Sequence, residues 1–196
     1  MASRIFMGIL VLLLIWCLWP AKVRKHPNGM TVKTAPVMKM LSDGKPWNRK
    51  SYTIRPLASY KLDSRILAKA RYYMGQETDL SKYDLAVGWQ MMSDSRVLNA
   101  LSISQGGRWY EYSWSGDPPA DPGTMSAYSK NMHMIAANLD SEKALDRVVV
   151  GDLVKMEGQL VECKDSSGWT WSSSTDDNAT GAHSCKVFWL ESMTNL

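Results

Sequence analysis

The chain has 196 residues, enough for an anchoring segment and one globular domain. Apolar residues make up 45% and charged residues 21%, which excludes a disordered polyelectrolyte and predicts a packed core. Of the 23 basic residues, six lie in the first 42, where no acidic residue occurs; residues 43–196 carry 17 basic against 19 acidic side chains, a net −2 that argues against a phosphate-tracking surface.

Ile5 to Trp19 (IFMGILVLLLIWCLW) is an unbroken apolar run of 15 residues. It ends in bulky residues where a signal peptidase requires small ones, and Trp16 and Trp19 form an interfacial belt at its C-terminal end. With residues 1–21 it is read as an uncleaved single-pass transmembrane helix. Lys22, Arg24 and Lys25 follow it and favour a cytoplasmic domain by the positive-inside rule. The short basic N-tail and the cysteine pair beyond the anchor favour export, and the reading leans to a periplasmic domain on a bacterial inner membrane. Residues 22–60 contain Pro27, Pro36, Pro46 and Pro56 with Asn28-Gly29 and Asp43-Gly44 turns, and are read as a tether.

The globular domain is placed at residues 61–196. Ile66, Leu67, Ala70 and Tyr73 fall at helical spacing, which predicts a helix over Arg65 to Met74 closed by Gly75. Ser93 or Asp94 is placed to cap a short helix from Ser95 to Leu101. In RWYEYSW (108–114), alternation puts Tyr110, Tyr112 and Trp114 on one face and Trp109, Glu111 and Ser113 on the other. Asn131 to Ala136 reads as a strand and Asp140 to Asp146 as a short helix. Val148 to Cys163 alternates until its parity slips around Gly158, which suggests a bulge or barrel bend. Trp169 to Trp171 and Cys185 to Glu191 supply two more strands. The expected fold is α+β, with short helices packed on a small antiparallel barrel or curved sheet of OB-like character.

His133 lies between Met132 and Met134, the residue types of a soft-metal site. In a strand, however, both methionines face away from the histidine, so packing is favoured over metal binding and no cofactor is expected. His133 is also the one plausible base of a hydrolase, with Asp84, Asp94 or Asp152 as partners. Motifs of the common hydrolase, kinase and dinucleotide sites are absent, so no catalytic residue is assigned. Cys163, His183 and Cys185 lack structural-zinc spacing; a Cys163–Cys185 disulfide is expected instead. The loop from Lys164 to Ser184 lacks calcium-loop spacing, and its tryptophans suit a contact patch. Nine Trp and eight Tyr against two Phe suit partly wet surfaces.

KHPNGM (25–30), YDLAVGWQMMSD (83–94), ISQGGRWYEYSW (103–114), SKNMHMIAAN (129–138) and GWTWSSS (168–174) resemble a family of bacterial membrane-anchored, Trp-rich proteins with no assigned activity. The resemblance implies a bacterial setting and no site residue. The function expected is a non-enzymatic, membrane-anchored interaction module, an accessory subunit of an envelope assembly. It would meet a protein partner through Arg108, Trp109, Trp169 and Trp171 and the membrane through residues 5–19. The alternatives are a metal protein or hydrolase centred on His133, and an OB-like nucleic-acid binder.

Overall fold

The computed structural model describes residues 22–181 and 184–196. Two short strands, β1 (Val37–Met40) and β2 (Trp47–Arg49), precede β3 (Tyr52–Arg71), a strand of 20 residues. One edge of β3 pairs along residues 52–65 with β8 (Leu153–Asp165). Its other edge is taken in turn by β2, β1 and β4 (Tyr83–Gly88). β4 pairs antiparallel with β7 (Ser129–Ala136), and β7 lies parallel to β10 (Lys186–Asn195). β10 returns antiparallel to β8, which closes the ring. The ring order β3-β4-β7-β10-β8 is a five-stranded Greek-key barrel, the connectivity found in OB barrels.

Three additions decorate the ring. A hairpin of β5 (Ser102–Gly106) and β6 (Trp109–Ser113) lies between β4 and β7, flanked by α1 (Ser95–Leu98) and α2 (Pro122–Ala127). Helix α3 (Leu139–Arg147) joins β7 to β8 and is capped by Asn138, whose side chain accepts from Ser141 N. The β8–β10 connection carries β9 (Thr170–Ser172), which pairs with β8 beyond the point where β10 leaves it.

The chain is therefore predominantly β, and the expected α+β fold is overturned. Among the described residues no helix is long and apolar enough to cross a membrane. The run 5–19 lies outside the described residues. Arg65–Arg71 of the helix expected over Arg65–Met74 form the end of β3, and Tyr72–Met74 lie beyond it. Ile66, Leu67 and Ala68 are consecutive because a bulge there puts Ile66 in the barrel interior and the next two under the hairpin, so both faces are buried. Short apolar runs of this kind do not distinguish helix from strand by spacing.

Residues 22–60 are not a free tether. They supply β1, β2 and the first half of β3, and the segment before β1 is docked on the domain. Arg24 pairs with Asp152, Gly29 N donates to Asp94, and Val32 is buried in the core. Gly151 adopts φ +88°, and a Cβ there would lie 2.0 Å from Arg24 O, so the docked strand requires glycine.

Alternation places Leu62, Leu85, Val87, Met132, Met134, Met156, Leu160 and Phe188 inside the barrel. The slip expected at Gly158 is real, but the bulge falls on the partner strand: Leu190 faces Gly158 and Ser192 faces Glu157, leaving Glu191 extra. A Cβ on Gly158 would lie 2.0 Å from Trp189 O. Gly158→Ala should lower the unfolding free energy in urea by about 1–3 kcal/mol, since the strands must part to admit the methyl group. An unchanged urea midpoint would mean that the close approach is not needed.

Candidate functional site

The outer face of the β4–β7 pair is also covered. One apolar cluster, containing Leu67, Ala86, Met92 and Met125, packs beneath the hairpin. Another, containing Tyr52, Ile135, Cys163 and Val187, packs beneath the tryptophans of the β8–β10 connection. A polar seam runs between them. Asp84 on β4 stands directly opposite His133 on β7, and Asn131 lies two residues along. All three are buried.

Asp84 organises the seam. Its carboxylate is fully buried, and Oδ1 meets two cationic groups: Arg108 Nη1 donates to it at 2.8 Å, and His133 Nδ1 stands 3.0 Å away. The histidine contact is a close ion-pair approach rather than an aligned hydrogen bond, and Oδ2 has no hydrogen-bond partner. Arg108 reaches the seam from the tip of the hairpin. Gly107 and Arg108 form its two-residue turn with φ +56° and +67°, the geometry of a type I′ turn. Arginine is uncommon there, because a Cβ is disfavoured at positive φ. Here the guanidinium is secured on several sides. It donates to Ser81 O at 2.9 Å and Thr78 Oγ1 at 2.9 Å, and it lies 4.0 Å from the Tyr72 ring centroid.

Burial pushes the His133 imidazole toward the neutral form, but its contacts with Asp84 and Cys185 outweigh that and its pKa is pushed up to about 9. The ring lies against Trp171, with centroids 4.8 Å apart. Asn131 is held by Gln105, which donates to its Oδ1 at 2.7 Å. Its Nδ2 donates to Arg108 O at 2.8 Å and approaches Cys185 Sγ at 3.7 Å. Cys185, His133, Arg108, Trp109 and Trp171 all line one cavity of about 430 Å³. Trp109 and Cys185 also line a neighbouring cavity of about 180 Å³, with Lys130 and Asn131 on its wall. Cys185 thus stands where two recesses meet.

Of the expected contact residues, Arg108, Trp109 and Trp171 converge on this cleft. Trp109 is 48% exposed on its rim. Trp169 turns away and packs edge-on against Tyr52, at 5.6 Å between centroids. Met132 and Met134 point into the barrel, opposite His133, so the three do not converge on a metal. Among the described residues, no three His, Cys, Asp or Glu side chains are grouped to hold a metal ion, and His183 lies outside those residues.

The expected disulfide is not formed; Cys163 and Cys185 are free thiols. The physical reason is the departure of β10 from β8 after Phe188↔Leu160. β9 then takes its place, and Cys163 faces Trp171 across the ladder. Burial pushes the Cys163 thiol up to about 12, as expected of an inert core sulfur. Sequence reasoning named Asp84 among three partners for His133; it missed Asn131 and Tyr72 and took Cys185 for half of a disulfide. The available signal was Gly107-Arg108, a two-residue turn between alternating strands with arginine where glycine or asparagine is usual.

Compared with known protein families, curated proteins and solved structures, the chain matches no family model, no curated protein and no solved structure.

The raised pKa of His133 makes stability depend on pH. The folded value of about 9 exceeds the usual 6.5, so this contribution is complete below pH 6.5 and is lost as pH rises through about 9. Urea unfolding across that window should show a decline of roughly 2–4 kcal/mol in the native chain, and His133→Gln should remove this slope. Equal slopes in the two proteins would contradict the Asp84–His133 pairing.

Proposed function

We propose that the domain is a recognition module that binds an acidic segment of a protein partner in the cleft between the β5–β6 hairpin and the β8–β10 connection. The observation that carries this reading is the charge balance of the cleft. A single carboxylate, Asp84, faces both Arg108 and His133, while Lys130 stands on the adjoining wall and bonds to the carbonyls of Ser126 and Ala179. With Glu111 on the same wall as Lys130, the two recesses carry Arg108, His133 and Lys130 against Asp84 and Glu111, a small positive excess although the domain is net negative. Trp109 and Trp171 add aromatic surface beside it, the usual composition of an energetic anchor.

The negative charge of residues 43–196 weighs against the nucleic-acid alternative, because a strand of phosphates requires a continuous basic track. Attachment to a bacterial inner membrane through the apolar run 5–19 is part of the same proposal. The docked segment from residue 22 would then leave only residues 20 and 21 between that run and the domain, so the cleft would work close to the membrane surface.

The test uses two fluorescein-labelled peptides, one alternating leucine with glutamate and one alternating leucine with lysine, titrated into the full chain in detergent. The acidic peptide should bind and the basic one should not. Affinity for the acidic peptide should weaken with added salt. Trp109→Ala should reduce that affinity about tenfold with no change in melting temperature, since Trp109 stands on the rim. Equal binding of both peptides, or unaltered affinity in Trp109→Ala, would contradict the reading.

A further inference from the structure

We propose that Cys185 is the nucleophile of an acyl-transfer site, with His133 as its proton acceptor and donor and Asp84 as the residue that positions His133. This goes beyond recognition and rests on the cleft being where a ligand sits.

Three groups that serve no purpose in the barrel interior are assembled on its outer face. Cys185 is partly exposed at the junction of two cavities. His133 lines the same cavity and has only 5% of its side chain exposed, and the nearby Cys185 helps to raise its pKa. Asp84 lies behind the imidazole, across the ladder from it. Nucleophile, base and orienting carboxylate in that order form the arrangement that activates serine and cysteine nucleophiles on unrelated folds. Distance along the chain is irrelevant to it; here β4, β7 and the start of β10 supply one group each.

The surroundings suit the chemistry. His133 is protonated at neutral pH, so the imidazolium is placed to hold a proton beside the sulfur. Asn131 Nδ2 lies 3.7 Å from Sγ, close enough to donate to an oxygen that develops negative charge next to it. Val187 and the Trp171 ring offer an apolar wall for an acyl chain. Cys163 provides the internal contrast: it is a buried thiol facing Trp171 across the ladder, and it is not part of the cavity lining.

The substrate class is an ester or thioester. The Cys185 thiolate adds to the carbonyl carbon and forms a C–S bond. The C–O or C–S bond to the leaving group then breaks, and His133 gives that group its proton. Water next adds to the acyl-cysteine and passes a proton to the neutral imidazole. The bond to Cys185 breaks, releasing the carboxylic acid and freeing the sulfur beside the reprotonated imidazole.

The experiment treats the full chain in detergent with p-nitrophenyl acetate at neutral pH. Nitrophenolate release is followed, and the acetylated residue is mapped by mass spectrometry after an acid quench. The expected result is a burst of one equivalent with acetyl on Cys185. Cys185→Ala should abolish the burst, Cys163→Ala should retain it, and His133→Gln should slow it about 10²-fold or more. Asp84→Asn should alter the pH profile of Cys185 alkylation by iodoacetamide, and Asp84→Glu should restore it; a merely structural carboxylate would not move that profile. Melting temperatures of the Cys185 and His133 variants establish that they fold. Acetyl spread over lysines, or a burst unaffected by Cys185→Ala or His133→Gln, would overturn the assignment. A chain that binds the acidic peptide without acetylation keeps the recognition reading and loses this one. A chain acetylated on Cys185 without selective peptide binding does the reverse.

Discussion

Asp84 is the constraint on which the outer face of the barrel depends. One fully buried carboxylate answers two cationic side chains that arrive from separate parts of the chain. Arg108 ties the hairpin tip to β4, and His133 ties β7 to the same point. Trp171 lies against the imidazole and brings the β8–β10 connection over it. Removal of the carboxylate would leave two positive groups facing each other in a desolvated seam. Loss of one partner of a buried pair typically costs about 3–5 kcal/mol, so the seam is a point of stability as well as chemistry. An apolar seam would be the simpler way to join two clusters, and the retention of charge here argues for use.

The barrel explains why such a seam can be built. Its ring leaves β4 and β7 paired side by side with their alternate residues facing outward. In an isolated barrel those residues would be wet. Here the hairpin inserted between β4 and β7 covers one half, and the tryptophan-bearing connection covers the other. The two covers approach each other where the Arg108 guanidinium lies 5.8 Å from the Trp171 ring centroid, and the gap beside that contact is the cleft. The walls of the cleft are thus supplied by additions to the ring, while the ring strands β4 and β7 supply the buried carboxylate and imidazole at its floor.

Much of this was legible wherever alternation was clean. The faces of RWYEYSW came out as expected, with Tyr110, Tyr112 and Trp114 half-buried and Trp109 exposed. The opposition of His133 to Met132 and Met134 followed from strand parity alone. What misled was local. Pro56 marked β3 as tether, although it sits beside the β3 bulge between Pro56 and Ala58. Ile66 and Leu67, read with Ala70 and Tyr73 as a helical face, are adjacent apolar residues because two different clusters bury them. Cys163 and Cys185 looked like a pair because nothing in sequence reveals that β9 displaces β10 between them. The site was legible only in pieces. Asp84, Asn131 and Cys185 meet through barrel closure, a long-range event with no periodic signature. Gly107-Arg108, an arginine in a two-residue turn, was the one local clue, and Arg108 ties that turn to Asp84.

The central claim is that Asp84 keeps the His133 imidazole charged in a buried seam. It is tested most directly by an NMR titration of the His133 ring carbons in the native chain and in Asp84→Asn. The account predicts a midpoint of about 9 in the native protein and a fall toward or below the ordinary 6.5 when the carboxylate is neutralised. A native midpoint at or below 6.5, unmoved by Asp84→Asn, would contradict it and leave the cleft without its organising charge.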